Sequence, residues 1–258
     1  MTSSSNASDL VEAALGGDRR ALARLLTVVS EDPGAEVMDQ VSARARGAMV
    51  VGITGPPGTG KSTLVDQLLS HLRSQGRQPG VVAVDPSSPF TGGAILGDRI
   101  RMQQHSGDDR VFIRSMGSRG VLGGIAAGTR SVVAVLDAAG FDPILVETVG
   151  VGQSELEVVK LAETVAVVLH PGWGDDVQIA KAGLLEIGHV FCVNKADTAD
   201  SAATVSRLSQ MVAMSPSPLS PGWRASVITT NALSGEGISE LWEAIAAHRR
   251  HGAGEEAG

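Results

Sequence analysis

The periodicity of apolar and polar residues changes once along this chain. As far as about residue 46 the apolar positions recur with the spacing of helices, whereas from residue 48 onward short apolar runs of strand length alternate with helical segments. The strand-like runs cover residues 49–54, 81–85, 111–114, 143–147, 164–169, 189–193 and 226–230. This alternation predicts an α/β fold built on a doubly wound, mostly parallel sheet. Sheets of that kind bind ligands at the carboxyl ends of their strands.

The same pattern divides the chain into four parts: a serine-rich disordered tail, an N-terminal helical extension, an α/β domain and a second, frayed tail. These parts cover residues 1–8, 9–47, 48–250 and 251–258. Within the extension, Gly16-Gly17-Asp18 separates two helices, and Asp18 is placed to cap the second. A further polar helix is predicted over residues 35–46, and three prolines predict a loop over 214–222.

Composition narrows the class of protein. Hydrophobic residues make up 43% of the chain and charged residues 19%, which is typical of a folded globular domain. The net charge of −7 argues against a nucleic-acid partner and against an anionic membrane surface. Cys192 is the one cysteine, so no disulfide can form within the chain, and its apolar neighbours predict that it is buried. With neither a secretory signal nor an apolar run of membrane-spanning length, a cytoplasmic location is expected.

One segment carries a specific chemical signal. Residues 55–62 read Gly-Pro-Pro-Gly-Thr-Gly-Lys-Ser and lie between a predicted strand and an amphipathic helical stretch, as the phosphate-loop motif requires. The backbone N–H groups of such a loop and the following helix N-terminus surround phosphate oxygens. Lys61 can reach the β- and γ-phosphates, and the Ser62 hydroxyl can ligate Mg²⁺. The predicted nucleotide contacts here come from Gly55, Pro57, Gly58, Thr59, Gly60, Lys61, Ser62 and Thr63.

A second motif specifies the base. Residues 194–197 read Asn-Lys-Ala-Asp directly after an apolar strand, and they match the guanine-specifying box of GTPases. The Asp197 carboxylate can accept hydrogen bonds from the ring N–H and the amino group of guanine, a pair of donors that adenine lacks. Asn194 can bond the purine edge and brace the phosphate loop, and the Lys195 stem can lie across the base.

A glycine-rich segment after the last predicted strand supports this interpretation. Residues 230–237 resemble the loop that closes over guanine in GTPases, with Asn231 where serine is usual. The Ala232 N–H is then placed to meet the base oxygen, and Leu233 lies next to it. A simple glycine-rich turn between a strand and a helix is the alternative.

Acidic residues follow two other predicted strands. Glu147 ends an apolar strand, where a carboxylate can hold Mg²⁺ through a water molecule. The Gly150 N–H can sense the γ-phosphate, and Gln153 is the nearest candidate to orient the attacking water, with a plain surface position as its alternative. Asp85 ends a strand that faces the same site. Asp98 begins a predicted helix and is either an N-cap or a ligand of Mg²⁺ or water.

Several longer runs complete the pattern. They read DPSS at 85–88, GDRIRM at 97–102, RSMGSRG at 114–120, ETVGVGQSE at 147–155, PGWGDDVQ at 171–178 and KAGLLEI at 181–187. In these runs the chain resembles the methylmalonyl-CoA-mutase-associated GTPases, the MeaB/ArgK branch of the GTPases that carry Glu in place of Asp in the third G motif. The resemblance covers residues from about 9 to 248. It implies a P-loop NTPase G domain with an N-terminal helical extension.

The resemblance implies GTP/GDP and Mg²⁺ as cofactors and a role beyond hydrolysis. Family members act as chaperones of adenosylcobalamin-dependent acyl-CoA mutases: they gate loading of the cofactor and protect the mutase. By resemblance, Asp85, Asp98 and Glu147 lie around Mg²⁺ and the attacking water, with Ser62 as a further ligand of the ion. Residues 174–186 correspond to a switch segment that communicates with the mutase. The catalytic residues expected are Lys61, Asp98, Glu147 and Gln153.

One departure and two alternatives remain open. Family members usually continue into a C-terminal dimerisation arm, whereas this sequence ends at Gly258, so a monomer and a dimer through another surface are both compatible with it. A nickel-inserting maturation GTPase needs His- or Cys-rich metal sites, but the six histidines are scattered and there is no Cys-x-x-Cys. A P-loop kinase needs an acceptor-binding lid, and the guanine box argues against it.

Overall fold

The computed structural model of the protein describes residues 2–85, 103–105, 107–117, 127–148, 158, 160–172, 183–214 and 220–255. The strands are β1 (Val50–Thr54), β2 (Gly80–Asp85), β3 (Phe112–Gly117), β4 (Ile144–Thr148), β5 (Thr164–Leu169), β6 (Val190–Val193) and β7 (Ser226–Thr229). They form one sheet in the order β3-β2-β4-β1-β5-β6-β7, and every neighbouring pair is parallel. The predicted α/β fold and each predicted strand are therefore confirmed.

The composition of the central strands explains why the sheet is parallel and buried. Every residue of β4 and of β5 is buried. A strand covered by helices on both faces has no polar face, so its apolar run is continuous rather than alternating. Because β1 lies in the middle of the sheet, between β4 and β5, its carboxyl end at Thr54 marks the centre of the edge where such sheets bind ligands.

Helices cover both faces of this sheet. Within the described residues they are α1 (Thr2–Leu15), α2 (Arg19–Glu31), α3 (Ala35–Ser42), α4 (Lys61–Ser74), α5 (Ala127–Ala138), α6 (Leu184–Ile187), α7 (Ser201–Met214) and α8 (Ile238–Glu255). α4 and α8 pack on one face around Leu68 and Trp242, whereas α2 and α5 pack on the other around Leu25 and Leu136. A search of the described helices finds no segment long and apolar enough to cross a membrane.

The N-terminal extension is joined closely to the α/β domain. As predicted, Asp18 caps α2: its carboxylate accepts hydrogen bonds from the N–H groups of Ala21 at 3.0 Å and Arg20 at 2.8 Å, and these bonds lower the pKa of Asp18. α2 then approaches α5 at Gly128, where a Cβ atom would lie 2.4 Å from the carbonyl oxygen of Ser30. The extension is thus part of the core packing rather than a separate arm.

Both predicted tails contain helix. α1 begins at Thr2, where residues 1–8 were expected to be disordered, and the Ser8 hydroxyl accepts a hydrogen bond from Gln40 of α3 at 2.9 Å. α8 continues to Glu255, inside the tail expected at 251–258. There the ring of His251 packs against Trp223, with centroids 5.5 Å apart. These stabilising contacts come from residues distant in sequence, so the local pattern gives no sign of them.

The third helix is shorter than predicted. It ends at Ser42 rather than at residue 46, and the chain then crosses towards β1. The reason is Asp137 of α5, whose carboxylate accepts hydrogen bonds from the N–H groups of Arg46 and Ala48. Those N–H groups therefore do not bond to helix carbonyls, and the backbone leaves the helical path.

Candidate nucleotide-binding site

The phosphate loop connects β1 to α4 at the carboxyl edge of the sheet. Gly55 has a φ of 135°, and a Cβ atom there would lie 2.1 Å from the carbonyl oxygen of Val168 in β5. Gly60 has a φ of 91°, and its Cβ would lie 2.6 Å from Nδ2 of Asn194. Neither position can hold a side chain, so glycine is what lets the loop lie against β5 and the residue after β6. Because α4 begins at Lys61, the N-terminus of this helix directly follows the loop.

Lys61 lies inside this loop. Its side chain is buried, and the ammonium Nζ donates hydrogen bonds to the carbonyl oxygens of Gly55 at 2.7 Å and Pro56 at 2.9 Å. The Thr59 hydroxyl also donates to Pro56, at 3.0 Å. The Lys61 ammonium is thus surrounded by the loop and bonded to neutral carbonyl oxygens, which an anion can replace as its partners.

Ser62 and Glu147 come together on the same face of the sheet. The Ser62 hydroxyl donates to Oε1 of Glu147 at 2.7 Å, and Glu147 is only 1% exposed although it is a carboxylate. Mg²⁺ prefers oxygen ligands and is generally held by one or two carboxylates together with phosphates. This pairing of a hydroxyl with a carboxylate beside the phosphate loop therefore fits the ion.

Asn194 joins three parts of the site. It is 2% exposed, and its Nδ2 donates to the carbonyl oxygen of Thr59 in the phosphate loop at 2.8 Å. Its Oδ1 accepts hydrogen bonds from the Thr230 hydroxyl at 3.1 Å and from the Ala232 N–H at 3.0 Å. One buried amide thus fixes the distance between the loop predicted to hold phosphates and the loop predicted to hold the base.

Two further members of the Asn-Lys-Ala-Asp box, Lys195 and Asp197, are exposed. Lys195 adopts a left-handed conformation, with a φ of 60°, and its Nζ donates to the carbonyl oxygen of Gly58 at 2.9 Å. Asp197 is exposed, and among the described residues its carboxylate has no hydrogen-bond partner. The N–H of Ala196, between them, donates to the Thr230 carbonyl at 3.0 Å. The box is therefore ordered by its backbone, while the acid presents free acceptors to solvent.

The segment after β7 also takes part. The Ala232 N–H, predicted to meet the base oxygen, is bonded to Asn194 in this structure, so contact with a base requires that bond to be shared or exchanged. The Leu233 side chain is 86% exposed beside it. The N–H of Leu233 donates to the side-chain oxygen of Asn231 at 3.0 Å, so this asparagine fixes the turn. The predicted loop therefore reaches the site.

Several predicted site residues cannot be placed. Asp85 ends β2 beside β4, as expected from its strand, but only its backbone is described. Asp98, Gly150 and Gln153 lie outside the described residues, as does most of the expected switch segment at 174–186. Their roles remain predictions.

The structure adds site residues that sequence reasoning missed. Thr230 bonds Asn194, and the buried Thr54 and Thr148 bond each other at the ends of β1 and β4. The sequence did contain a signal, since each is a hydroxyl residue at, or directly after, the end of a predicted strand. Cys192 lies beneath Thr230, with its Sγ 3.1 Å from the hydroxyl, and burial raises its pKa to about 12. The prediction that Cys192 is buried is therefore confirmed.

A polar cluster on α4 was also missed. Asp66 accepts a short hydrogen bond from Gln104, and its Oδ1 lies 3.4 Å from Nε2 of His105. Burial raises the pKa of Asp66, although the nearby His105 acts in the opposite direction. The cluster holds the turn at Gln103–His105 against the helix that begins at the phosphate loop.

Comparison with known proteins agrees with this geometry. A family model described as "Methylmalonyl Co-A mutase-associated GTPase MeaB" matches residues 22–257. The matched region contains the phosphate loop, all seven strands and the Asn-Lys-Ala-Asp box.

Individual relatives extend over most of the chain. A Pyrococcus abyssi protein whose name assigns it to the GTPases is 51% identical over 244 residues, which cover 93% of this chain and 75% of that protein. The mouse protein "Methylmalonic aciduria type A homolog, mitochondrial" is 38% identical over 198 residues, which cover 76% of this chain and 48% of that protein. The crystal structure of an LAO/AO transport system kinase has a TM-score of 0.78 and 25% identity, and the match covers 97% of this chain and 77% of that one.

Proposed function

The chain belongs to the family of methylmalonyl-CoA-mutase-associated GTPases, and from that premise we propose that it is a GTP-dependent chaperone of an adenosylcobalamin-dependent acyl-CoA mutase. It is a P-loop GTPase, and the reaction is hydrolysis of GTP to GDP and phosphate. What we propose beyond this is which residues hold the nucleotide and which partner protein responds to the cycle of GTP binding and hydrolysis. Nickel insertion and kinase activity are the alternatives, and the family match favours neither.

The observation that carries the nucleotide site is the bridging position of Asn194. Its amide bonds the phosphate loop at Thr59 and the loop after β7 at Ala232, so the two ends of a bound nucleotide would meet parts of one connected structure. A buried amide with three hydrogen bonds is held in one rotamer, so it keeps the two loops in a fixed relative position. This favours a ligand that has both a phosphate chain and a base.

At the phosphate end, Lys61 is proposed to exchange its hydrogen-bond partners when the nucleotide binds. Its ammonium leaves the carbonyl oxygens of Gly55 and Pro56 and bonds phosphate oxygens, which are stronger acceptors because they are charged. The remaining loop contacts are the backbone N–H groups between Gly58 and Thr63. Because the loop already surrounds a cation, anion binding requires no new charge to be buried alone.

Bound Mg²⁺ supplies positive charge beside the β- and γ-phosphates. Ser62 and Glu147 are the described side chains that fit it, and Asp85 and Asp98 are proposed to complete the acidic surroundings. Gln153 is proposed to orient the attacking water, with the Gly150 N–H at the γ-phosphate.

At the base end, Asp197 is proposed to select guanine. Its exposed carboxylate can accept two hydrogen bonds from the guanine N–H groups, whereas adenine would leave these acceptors facing a ring edge without a donor pair. The Lys195 stem is proposed to cover one face of the base, and the Ala232 N–H and Leu233 to approach it from the loop after β7.

The mutase proposal rests on the family description and on the name of the mouse relative, both of which refer to methylmalonyl metabolism. In it, nucleotide state controls loading of the cofactor onto the mutase, and the segment at 174–186 reports that state to the partner. Hydrolysis by the isolated protein is expected to be slow, and the mutase is expected to accelerate it, because a partner can supply the positive charge that an arginine finger supplies in other GTPases.

Turnover measurements test both parts. GTP and ATP hydrolysis are compared with and without the adenosylcobalamin-dependent mutase encoded nearest this gene, with bovine serum albumin as the protein control. The expected result is slow hydrolysis of GTP and little hydrolysis of ATP. The mutase should accelerate GTP hydrolysis, and albumin should not. Equal turnover of ATP and GTP would contradict the role of Asp197, and GTP turnover that the mutase leaves unchanged would contradict the chaperone role.

A further inference from the structure

A side-chain hydrogen bond joins the end of β4 to the end of β1, directly before the phosphate loop. Thr54 is the last residue of β1 and immediately precedes Gly55, and Thr148 is the last residue of β4. The Thr148 hydroxyl donates to the Thr54 hydroxyl at 2.9 Å, and both residues are 0% exposed. The pair is therefore inaccessible to water and to any ligand at the site.

This bond lies on the opposite face of the sheet from the Glu147–Ser62 bond. Ile53 and Glu147 are register partners in adjacent strands, and side chains alternate between faces along a strand. Glu147 therefore points towards α4, where it meets Ser62, whereas Thr54 and Thr148 point to the other face. The end of β4 is thus tied on both faces to the segment that carries the phosphate loop.

The Ser62–Glu147 and Thr148–Thr54 hydrogen bonds differ in whether a ligand can replace them. Ser62 and Glu147 both carry oxygens that a bound cation can take as ligands, so their mutual hydrogen bond is exchangeable. The threonine hydroxyls are enclosed and have no access to a nucleotide. When Ser62 changes partner, the hydrogen bond between the two threonines can stay in place.

We propose that Thr54 and Thr148 are positioning residues for the GTPase reaction. They keep the carboxylate of Glu147 at a fixed distance from the phosphate loop while Ser62 exchanges its hydrogen bond for a Mg²⁺–nucleotide ligand. This rests on the proposed function of the site. The pair touches neither nucleotide nor metal, so it acts through the position of Glu147 and not by contact.

If the Thr54–Thr148 bond served only to stabilise the fold, a different result would be expected from mutating it. A hydrogen bond between two buried neutral groups adds little net stability, and replacement of both partners by apolar groups of the same shape is nearly neutral. Replacement of one partner leaves the other hydroxyl buried and unsatisfied, which destabilises the folded state more than replacement of both. The double variant Thr54→Val/Thr148→Val should therefore fold at least as well as either single variant, which makes it the one to assay.

The experiment measures the affinity for a fluorescent GDP without Mg²⁺, the Mg²⁺ concentration that half-saturates GTP hydrolysis, and kcat. For the double valine variant we expect GDP affinity within about twofold of the wild type, because that complex depends on loop and base contacts. The Mg²⁺ requirement should rise and kcat should fall, each by about tenfold, because displacement of a catalytic carboxylate by a fraction of an ångström is costly.

Two control variants separate positioning from stability. Thr164→Val removes a buried hydroxyl in β5 that bonds His248 at 2.8 Å, at the opposite end of the sheet, and should leave the Mg²⁺ requirement unchanged. Thr54→Ser/Thr148→Ser keeps both hydroxyls and should restore the Mg²⁺ requirement and kcat of the wild type. If the valine variant does not fold, Thr54→Ser/Thr148→Val, which removes one of the two hydroxyls, provides the test with the same expected changes.

The outcomes are distinct. A valine variant with the wild-type Mg²⁺ requirement and kcat, or a serine variant that behaves like the valine variant in a folded state, would overturn the positioning role while the wild type still binds GDP. A wild-type protein that fails to bind the fluorescent GDP would overturn the proposed nucleotide site and the positioning role with it.

Discussion

The two edges of the central sheet both bury polar side chains, but they satisfy them differently. At the carboxyl edge, Lys61 and Asn194 bond the backbone of loops that follow β1 and β7. At the amino edge, the rings of His189 and His248 stack, with centroids 4.1 Å apart. There His189 accepts from the Val165 N–H at 2.9 Å, and His248 is hydrogen-bonded to hydroxyl groups on both ring nitrogens.

The difference teaches how to recognise a site among buried polar groups. A carbonyl that holds the Lys61 ammonium can be replaced by a phosphate oxygen, and the cation gains a stronger partner in the exchange. The stacked imidazoles offer no such exchange, because His248 is hydrogen-bonded on both ring nitrogens and its ring packs against His189 and Trp223. Burial of polar groups therefore marks a functional site only where a ligand can replace the partner.

Lys61→Ala should give the largest effect at the carboxyl edge. Loss of charge-assisted hydrogen bonds of about 1.5–3 kcal/mol each should weaken GTP binding by about 100-fold or more. The affinity is measured by titration with a fluorescent GTP analogue, and Lys160→Ala, at an exposed lysine, serves as the matched control. If Lys61→Ala binds GTP as the wild type does, the assignment of residues 55–62 as a phosphate site is wrong.

Acid should act at the amino edge first. Burial, together with the neighbouring His248, lowers the pKa of His189 to about 4, and burial, together with His251, does the same for His248. The folded-state pKa values lie below the ordinary value of 6.5. Between pH 6.5 and pH 4 the unfolded chain therefore binds more protons at these two histidines than the folded protein does. The stability contributed by the neutral pair, present above that range, should therefore fall by about 3 kcal/mol between pH 7 and pH 5.

Urea denaturation at several pH values checks this expectation. His248→Gln, which keeps hydrogen-bonding capacity but does not titrate, should reduce the dependence of the unfolding free energy on pH. His71→Gln on α4, which is not part of the stack, should leave it unchanged. GTP affinity at pH 7 should be the same in all three proteins, and a pH dependence that His248→Gln does not reduce would contradict the assignment.

Asp197→Ala should have an intermediate effect, confined to the choice of base. Loss of two hydrogen bonds to guanine should weaken GTP binding by about 10- to 100-fold and leave weak ATP binding unchanged. Competition between GTP and ATP for a fluorescent nucleotide measures the ratio directly, and Asp200→Ala, at a nearby exposed acid, is the control. A preference for GTP that survives in Asp197→Ala would show that the base is selected elsewhere.

Cys192→Ala should have the smallest effect. The thiol is fully buried and bonds Thr230, which remains bonded to Asn194, so nucleotide affinity should stay within about twofold of the wild type and stability should fall by about 1 kcal/mol. In the wild type the thiol should react with a maleimide only as fast as the protein opens, because its pKa is raised to about 12. Rapid labelling of the folded protein would contradict this picture.

Much of the fold was predictable because its signals are local. The continuous apolar runs of β4 and β5 follow from burial on both faces, and the Asp18 cap follows from its place before an amphipathic helix. Helix ends were less predictable. α3 ends early because of Asp137, and α8 continues past residue 250 beside Trp223, and neither partner is near in sequence.

The sequence by itself determined the chemical identity of the site, since the phosphate loop and the Asn-Lys-Ala-Asp box are each short runs whose residue types and order carry the chemistry. Only the tertiary structure decided which of these residues meet. Ser62 reaches Glu147, and Thr54 reaches Thr148, because the sheet order places β4 beside β1 although a long stretch of chain separates them. Asn194 reaches Thr59 for the same reason, since β5 and β6 follow β1 across the sheet. Strand order is a property of the whole packed core, and no local pattern of residues specifies it.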